Sequence, residues 1–290
     1  MTDSILPLRS ALFLPASNPR AIDKARGLAA DAVILDLEDA VAPEAKHAAR
    51  EAAVAAVNAG GFRAPIVVVR ANALDTEWGA ADLAALAASR ADAVLVPKIA
   101  IAGDVELYNA ELAAARPAMR LWVMIETCRA IAELQPIADM AARTRLAAMV
   151  VGTNDLALEL RARPAADRAG LAPFLALAVA AARASGIAVL DGVCNDFTDL
   201  DRFAAECAQG RALGFDGKSL IHPAQVEPCN AAFSPDGDEV ARAKAIVAAF
   251  ADPANAGRGA IRVEGRMVER LHLAEAERVL AMAAGWTGSA

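Results

Sequence analysis

The sequence predicts a (β/α)8 TIM barrel followed by a C-terminal helical extension. Eight short apolar runs occupy the first 222 residues, helical patterns separate them, and the runs start 22 to 40 residues apart. This spacing is close to the roughly 30 residues of each βα unit in a barrel of about 250 residues. Eight units favour closure into a barrel, although an open doubly wound sheet would use the same βα units and is the alternative.

Each apolar run has about the length of one buried strand. The runs are rich in Val, Ile and Leu and do not alternate polar with apolar residues, which is typical of strands covered on both faces in a parallel sheet. In chain order they are Ser10–Ala16, Ala32–Asp39, Pro65–Asn72, Ala93–Ile99, Leu121–Thr127, Leu146–Asp155, Gly186–Val193 and Gly214–His222.

Helical patterns fill the gaps between these runs. Asn18 and Pro19 supply a capping residue and a first-turn proline for a predicted helix through Ala30. Pro43 begins a second predicted helix, which continues towards Gly60. The other predicted helices are Asp82–Ser89, Asp104–Ala115, Arg129–Arg143, Pro173–Ser185 and Phe197–Leu213.

The pattern changes near the C-terminus, which predicts two regions: a barrel at residues 1–232 and an extension at residues 233–290. A helix is expected at Asp238–Phe250, then a short apolar stretch at Ile261–Val268, and a last helix from about Leu271. We expect the extension to pack on its own barrel or on a neighbouring subunit, where it would act as a lid.

Composition excludes several classes of protein. The net charge is −7 and no cluster of Lys and Arg is present, which argues against nucleic-acid binding. The four cysteines are widely spaced, as in cytosolic proteins with reduced thiols. Residues 1–4 lack the features of a signal peptide, and no apolar run approaches the roughly 20 residues of a membrane helix. We therefore expect a cytoplasmic protein that contacts neither membrane nor nucleic acid.

Charged and polar residues follow six of the predicted strands. In a barrel of this kind the catalytic side chains lie at the carboxyl ends of the strands, and charges there are costly unless they are solvated, paired or bound to a metal. Their convergence on one mouth favours a functional site over scattered ion pairs. The residues are Asp36-Leu37-Glu38-Asp39, Arg70-Ala71-Asn72, Pro97-Lys98, Glu126-Thr127, Asn154-Asp155 and Asp191.

The kinds of residue at these strand ends indicate a magnesium site. The three histidines form no zinc-binding pattern, and neither a GxSxG nucleophile motif nor a Walker motif is present. Glu126 and Asp155, supported by Asp36, Glu38 and Asp39, offer an all-oxygen environment. Such an environment suits Mg²⁺, which takes one or two carboxylates and keeps several waters.

The chain resembles the citrate lyase β-subunit and malyl-CoA lyase family, within the HpcH/HpaI aldolase superfamily. The resemblance spans nearly the whole chain, in order and at consistent spacing. The matching segments are RSALFLP (9–15), LDLEDAV (35–41), VRAN (69–72), VPK (96–98), MIET (124–127), GTNDL (152–156), DGV (191–193), GFDGKSLIHPAQV (214–226) and NAAFSP (230–235).

The resemblance implies a barrel that assembles as a homotrimer or a dimer of trimers and acts on acyl-CoA thioesters and 2-oxoacids. It implies Mg²⁺ ligands at Glu126 and Asp155, with Glu126 also contacting the substrate. Arg70 is expected to hold the reacting oxygens of the thioester or the oxoacid, and so to be catalytic. Glu38 and Asp39 are expected to hydrogen-bond the waters on the metal.

Two departures from the family pattern concern charge and reach. Relatives often carry an acid from the C-terminal segment of an adjacent subunit, within a pattern like Met-Ile-Asp. Here that position reads Met267-Val268-Glu269, so Glu269 is the expected catalytic acid, one methylene longer. Where many relatives have Glu-Asp, this chain has Asn154-Asp155, which removes one negative charge beside the metal.

Together the motifs predict a Mg²⁺-dependent carbon–carbon lyase that acts on a 3-hydroxyacyl-CoA thioester of the citryl, malyl or citramalyl type. Cleavage would release a 2-oxoacid and an acyl-CoA, and the reverse condensation uses the same site. Two alternatives stay open: a class II aldolase that acts on free 2-oxoacids, and a non-catalytic subunit that binds CoA esters.

Overall fold

The computed structural model describes residues 8–163, 165 and 167–287. Residues 1–4, on which the expectation of no signal peptide depends, lie outside this range. The chain divides into two compact units, one at Leu8–Phe233 and one that begins at Ser234. Within the part of the chain that the structure describes, no helix is long and apolar enough to cross a membrane.

The first unit contains a closed barrel of eight parallel strands, which confirms the predicted fold class. Each strand pairs with the next in the chain, and β1 pairs with β8, where Ser10 lies opposite Lys218. The strands are β1 (Ser10–Pro15), β2 (Ala32–Asp36), β3 (Ile66–Arg70), β4 (Ala93–Val96), β5 (Arg120–Ile125), β6 (Leu146–Val151), β7 (Ala188–Asp191) and β8 (Gly217–Leu220).

Helices connect the strands on the outside of this barrel. Several begin at side-chain caps, as when the Asn18 side chain accepts a hydrogen bond from the Ala21 N–H. The helices are α1 (Pro19–Ala25), α2 (Lys46–Ala59), α3 (Gly79–Ala87), α4 (Ala102–Glu111), α5 (Cys128–Ala132), α6 (Leu134–Asp139), α7 (Thr153–Glu159), α8 (Ala172–Ala184), α9 (Leu200–Leu213) and α10 (Val226–Phe233).

The sequence placed the eight strands correctly but extended most of them into the loops that follow. The clearest error is the run Leu146–Asp155, in which β6 ends at Val151 and α7 begins at Thr153. Gly152 interrupts the strand with φ −88° and ψ 79°. Asp155 therefore lies in the first turn of a helix, where the helix dipole favours a carboxylate, rather than at the end of a strand.

Two predicted helices differ from the observed ones. The helix expected through Ala30 ends at Ala25. The single helix expected at Arg129–Arg143 is instead α5 and α6, with Glu133 between them at φ −115°. Pro136 accounts for this break. It is the eighth residue of the predicted helix, where its ring would clash with the carbonyl of Ala132 in the preceding turn and a hydrogen bond would be lost.

Alternate strand residues form two apolar layers. Val33 and Leu35 belong to the large core between the barrel and its helices. Ile34 belongs to the smaller core inside the barrel, as do Val68 and Met124. Because side chains alternate along a strand, the residue two positions after each of Ile34, Val68 and Met124 also faces the barrel interior. These positions lie at the carboxyl ends of β2, β3 and β5.

The second unit begins after α10, at Ser234. It contains α11 (Gly237–Ala251), α12 (Arg270–Thr287) and an antiparallel hairpin of β9 (Ala260–Val263) and β10 (Arg266–Glu269). The Asp236 and Glu239 side chains and backbone N–H groups cap the start of α11 reciprocally. The apolar stretch predicted near Ile261 is thus this hairpin.

Candidate active site

The inward positions at the carboxyl ends of β2, β3 and β5 carry charge. Asp36 lies two residues after Ile34, Arg70 lies two after Val68, and Glu126 follows Met124 by two. The register of β2 and β3 sets Asp36 directly opposite Arg70. The inward-facing set of alternate residues on these three strands therefore brings one arginine and two carboxylates to the same barrel mouth.

Arg70 is held by three carboxylates. Its Nε and Nη2 donate to the two Asp36 oxygens, each at 2.6 Å, which is the two-pronged geometry that a guanidinium favours. Its Nη1 lies 2.7 Å from Glu38 Oε2 and 3.5 Å from Asp39 Oδ2. Arg70 is only 8% exposed. The two bonds to Asp36 fix the orientation of its guanidinium, and Nη1 is the atom that approaches Glu38 and Asp39.

Apolar and soft groups complete the surroundings of Arg70. The guanidinium lies over the Phe13 ring, 5.0 Å from its centroid, a distance at which cation and ring attract each other. Its Nη1 is also 3.6 Å from Met124 Sδ. These neighbours exclude water from one side of the guanidinium, which strengthens its interaction with any anion in the cavity.

Glu126 is buried against Gly152 and is 2% exposed. A Cβ atom built on Gly152 would lie 2.5 Å from both Glu126 Cβ and Glu126 Oε2, so only glycine leaves room for the carboxylate. Its Oε1 accepts a 2.7 Å hydrogen bond from the backbone N–H of Lys98. Lys98 adopts a left-handed backbone with φ 54°, a strained conformation of the kind found at functional sites.

Burial and neighbouring charges perturb the acidity of Glu126. Burial raises the pKa of Glu126 to about 7; the charges of Asp155 and Asp39 act in the same direction, while the Lys98 N–H and Arg70 oppose them. A carboxyl group with this pKa is half protonated near neutral pH. A cation beside it would favour the charged form.

Two cavities meet at Asp155. One, of about 380 Å³, is lined by residues that include Asp36, Arg70 and Asp155. The other, of about 300 Å³, is lined by Lys98, Glu126 and Asp155, among others. Glu126 and Asp155 thus line one cavity, and Asp155 also lines the cavity that contains Arg70.

Glu38 lies on the loop after β2 and is almost as buried as Arg70. Among the residues that the structure describes, its Oε2 has no hydrogen-bond partner, although it lies 2.7 Å from Arg70 Nη1. This contact is therefore electrostatic and out of line with the N–H. Burial raises the pKa of Glu38 to about 8 against the opposing charge of Arg70. The structure thus places Glu38 and Asp39 beside the guanidinium.

The donor set fits a hydrated magnesium ion. Among residues 8–163, 165 and 167–287, no three His, Cys, Asp or Glu side chains converge as a complete protein cage for a metal. Mg²⁺ does not need one, because it commonly binds one or two carboxylates and keeps waters at its other positions. Glu126 and Asp155 would supply those two carboxylates, and the adjoining cavities leave space for waters and substrate.

The family model described as HpcH/HpaI aldolase/citrate lyase matches residues 9–223. The chain belongs to this family. The resemblance inferred from the strand-end motifs is therefore confirmed, and with it the assignment of the chain as an enzyme of a lyase family. The match covers all eight strands of the barrel and every strand-end residue discussed above.

Relatives of this HpcH/HpaI family member carry two different activities in their names. This chain is 47% identical to the (3S)-malyl-CoA thioesterase of Cereibacter sphaeroides, over 96% of this chain and 95% of that protein. It is 33% identical to the L-malyl-CoA/beta-methylmalyl-CoA lyase of the same species, with coverages of 96% and 95%. Its fold matches CitE of Mycobacterium tuberculosis in complex with magnesium, acetoacetate and coenzyme A, with 34% identity, a TM-score of 0.76 and coverages of 95% and 98%.

Glu269 lies outside the barrel, in the second unit. It is the last residue of β10, is half-buried, and its backbone N–H donates to His272 Nδ1 at 3.0 Å. The expectation that Glu269 is catalytic therefore stays a prediction. Asn154, the other departure from the family pattern, forms a reciprocal amide pair with Asn195 at 2.7 and 3.2 Å, and both line the larger cavity.

Several residues of this HpcH/HpaI site were not singled out from the sequence. Asn195 lies in no matching segment, and its role depends on loop geometry. Lys98 lies in the matching segment VPK (96–98), but the part that its backbone N–H plays depends on the loop conformation. Lys46 falls within the second predicted helix, where the pattern gives it no separate role. Phe13 lies inside the quoted motif RSALFLP, and its inward position follows from strand alternation once β1 is known.

Proposed function

We propose that this protein is a Mg²⁺-dependent carbon–carbon lyase acting on a malyl-type 3-hydroxyacyl-CoA thioester. The observation that carries the proposal is the meeting of Glu126, Asp155 and Arg70 at one barrel mouth. Family membership supports a lyase, and the names of the relatives support a malyl group on coenzyme A.

Glu126 and Asp155 would hold the magnesium ion. When bound there, Mg²⁺ would supply Lewis-acid polarisation and a template for the carboxylate and hydroxyl oxygens of the acyl group. Burial of Glu126 keeps this carboxylate away from bulk water, and Gly152 and the Lys98 N–H fix its position.

Arg70 would stabilise the negative charge that develops when the bond between the second and third acyl carbons breaks. The hydroxyl group on the third carbon would lose its proton as this bond breaks, which yields a 2-oxoacid and the enolate of the acyl-CoA. One proton must then reach the enolate carbon, so that protons balance over the reaction. Because Asp36 already orients the guanidinium, no reorganisation is needed as charge develops, and this preorganisation is the basis of the catalytic effect. Glu269 is our candidate for the proton donor.

Thioester hydrolysis is a second candidate function. It is favoured by one observation: the relative at 47% identity is named a thioesterase, whereas the lyase is 33% identical. Hydrolysis would release malate and free coenzyme A. The same metal site would bind the acyl group, but a water would attack the thioester carbonyl.

One assay separates these reactions. Purified protein is incubated with (3S)-malyl-CoA and Mg²⁺, the 2-oxoacid is trapped with phenylhydrazine, and free thiol is measured with a disulfide reagent. Lyase activity gives equal amounts of glyoxylate and acetyl-CoA without free thiol. Hydrolysis gives free thiol and malate without glyoxylate. Absence of both products with this and related thioesters, in the presence of Mg²⁺, would reject the proposed function.

A further inference from the structure

Lys46 is a buried cation in a helix. It lies beside residues 37–40, the loop after β2 that carries Glu38 and Asp39 and is called the acidic loop below. It is the first residue of α2 and is 6% exposed. Its Nζ donates to the backbone carbonyls of Leu37 at 2.8 Å and Glu38 at 2.7 Å, and to Asn72 Oδ1 at 2.7 Å. All three donors of the ammonium group are therefore used, and none is directed at a ligand.

These contacts join the two segments that bear the charged residues of the site. Leu37 and Glu38 belong to the loop after β2, whereas Asn72 follows Arg70 by two residues at the end of β3. One ammonium group therefore bridges the loop that carries Glu38 and the strand end that carries Arg70. Lys46 also lies 5.2 Å from the centroid of the Trp78 ring, which restricts its movement.

The network extends away from the cavity into the surrounding helices. Asn72 Nδ2 and its backbone N–H donate to Asp82 Oδ2 at 2.6 and 3.0 Å. Arg50 Nη1 contacts Asp82 Oδ1 at 3.0 Å. Asn72 is therefore held from α3, and its amide oxygen is directed towards Lys46.

Two different groups hold the acidic loop. The Asp36 carboxylate accepts the N–H groups of Glu38 at 2.9 Å and Ala40 at 3.1 Å, while Lys46 binds the carbonyls. Without Lys46, the buried Leu37 carbonyl loses its donor, and the Glu38 carbonyl keeps only the Val41 N–H, at 3.0 Å. The link from these carbonyls to Asn72 at the end of β3 is then lost. The positions of the Glu38 and Asp39 carboxylates relative to Arg70 would then be free to shift.

We propose that Lys46 is a positioning residue that sets the separation between the Glu38 loop and Arg70. This inference rests on the proposed function, since it assigns Lys46 to the reaction at that site. Lys46 acts through backbone carbonyls and Asn72, so its removal alters turnover, while the proposed magnesium ligands Glu126, just after β5, and Asp155, in α7, keep their geometry.

The test compares Lys46→Met with a matched control, Arg145→Met. Arg145 also caps backbone carbonyls, those of Ala115, Arg116 and Met119 among them, but it precedes β6 at the opposite end of the barrel. We expect Lys46→Met to lower kcat by about 10- to 100-fold while KM and the Kd for Mg²⁺ change less than about threefold. Arg145→Met is expected to keep kcat within about twofold.

Three results would overturn the inference. One is a Lys46→Met kcat within twofold of wild type. Another is a loss of Mg²⁺ affinity as large as the loss of kcat, which indicates general disruption. The third is a crystal structure of Lys46→Met in which Glu38 Oε2 keeps its 2.7 Å distance from Arg70 Nη1.

A second variant, Asn72→Ala, tests the inference if the Lys46→Met protein does not fold. Asn72→Ala removes one of the three acceptors and leaves the lysine in place, so a kcat loss of at least about threefold with unchanged Mg²⁺ affinity is expected; unchanged kcat overturns the inference. If the wild-type protein cleaves no CoA thioester, the proposed function fails. The crystal structures then still decide whether Lys46 positions Glu38.

Discussion

Replacing Gly152 with alanine tests how closely the position of Glu126 is set by its neighbour. The backbone at Gly152 has φ −88°, which alanine also adopts, so the effect of the substitution is steric. The added Cβ would lie 2.5 Å from Glu126 Cβ and 2.5 Å from its Oε2, where ordinary contacts begin at 3.4 Å. Glu126 must therefore move by about 1 Å.

A displacement of this size has a defined consequence. Misplacing a catalytic group by about 1 Å costs about 100-fold in rate, and overpacking a filled core costs about 1–3 kcal/mol of stability. We expect Gly152→Ala to lower kcat/KM by about 100-fold and to weaken Mg²⁺ binding. Steady-state kinetics and titration calorimetry on the folded protein provide the measurements.

Gly103→Ala is the matched control for this prediction. Gly103 lies in α4, and a Cβ there would meet nothing closer than 3.6 Å. Alanine should stabilise that helix by about 0.5–1 kcal/mol and leave catalysis unchanged. A Gly152→Ala protein with Mg²⁺ affinity and kcat/KM within threefold of wild type would refute the reasoning that Gly152 sets the carboxylate position.

Three further predictions concern charge. Arg70→Ala should lower kcat by about 10²–10³-fold, measured by single-turnover kinetics, because a preorganised donor to developing charge is lost; near-normal turnover would contradict the role. Mg²⁺ affinity should weaken by up to about tenfold per pH unit below pH 7, measured by calorimetry, because Glu126 with its pKa of about 7 must lose its proton to bind; a flat profile would contradict it. Metal-free protein should lose stability as the pH rises from 4.5 to 8, as measured by its Tm, because the pKa of Glu38 rises from 4.5 to about 8 on folding and the folded state retains the proton over this range. Glu38→Gln should reduce the dependence of Tm on pH.

The sequence was sufficient for the barrel because its strands are buried on both faces. Seven of the eight apolar runs contain one observed strand each, and the run at Leu121–Thr127 misses only the first residue of β5. Closure follows from the number of βα units. The boundaries were less accurate, because the polar residues that follow each strand were counted as part of it. At β6 this hid a helix, since a short loop at Gly152 separates strand from helix.

The principal site residues could be predicted because the carboxyl ends of parallel strands meet at one edge. Asp36, Arg70 and Glu126 each continue the inward positions of a strand, so their convergence follows from alternation. Lys46 could not be found in this way. Its partners are loop carbonyls and a residue 26 positions away, and only the folded backbone brings them within reach.

Charge alone was a poor guide to the role of the acidic loop. Asp36 at the end of β2 and Glu38 and Asp39 just after it are equally compatible with a metal site and with ion pairs. In the structure Asp36, Glu38 and Asp39 all approach Arg70, at 2.6, 2.7 and 3.5 Å. The distinction depends on the conformation of residues 36–40. Two backbone N–H groups of this segment donate to the Asp36 carboxylate, and two of its backbone carbonyls accept from the Lys46 ammonium group.

Magnesium binding by defined carboxylate variants tests the central claim most directly. Titration calorimetry of metal-free protein should detect one Mg²⁺ per chain, and Glu126→Gln and Asp155→Asn should each weaken binding at least about tenfold. Glu159→Gln is the control, because Glu159 lines the same cavity but has no proposed part in metal binding, and its affinity should stay within twofold of wild type. Undiminished binding by Glu126→Gln and Asp155→Asn would contradict a metal held jointly by these two side chains.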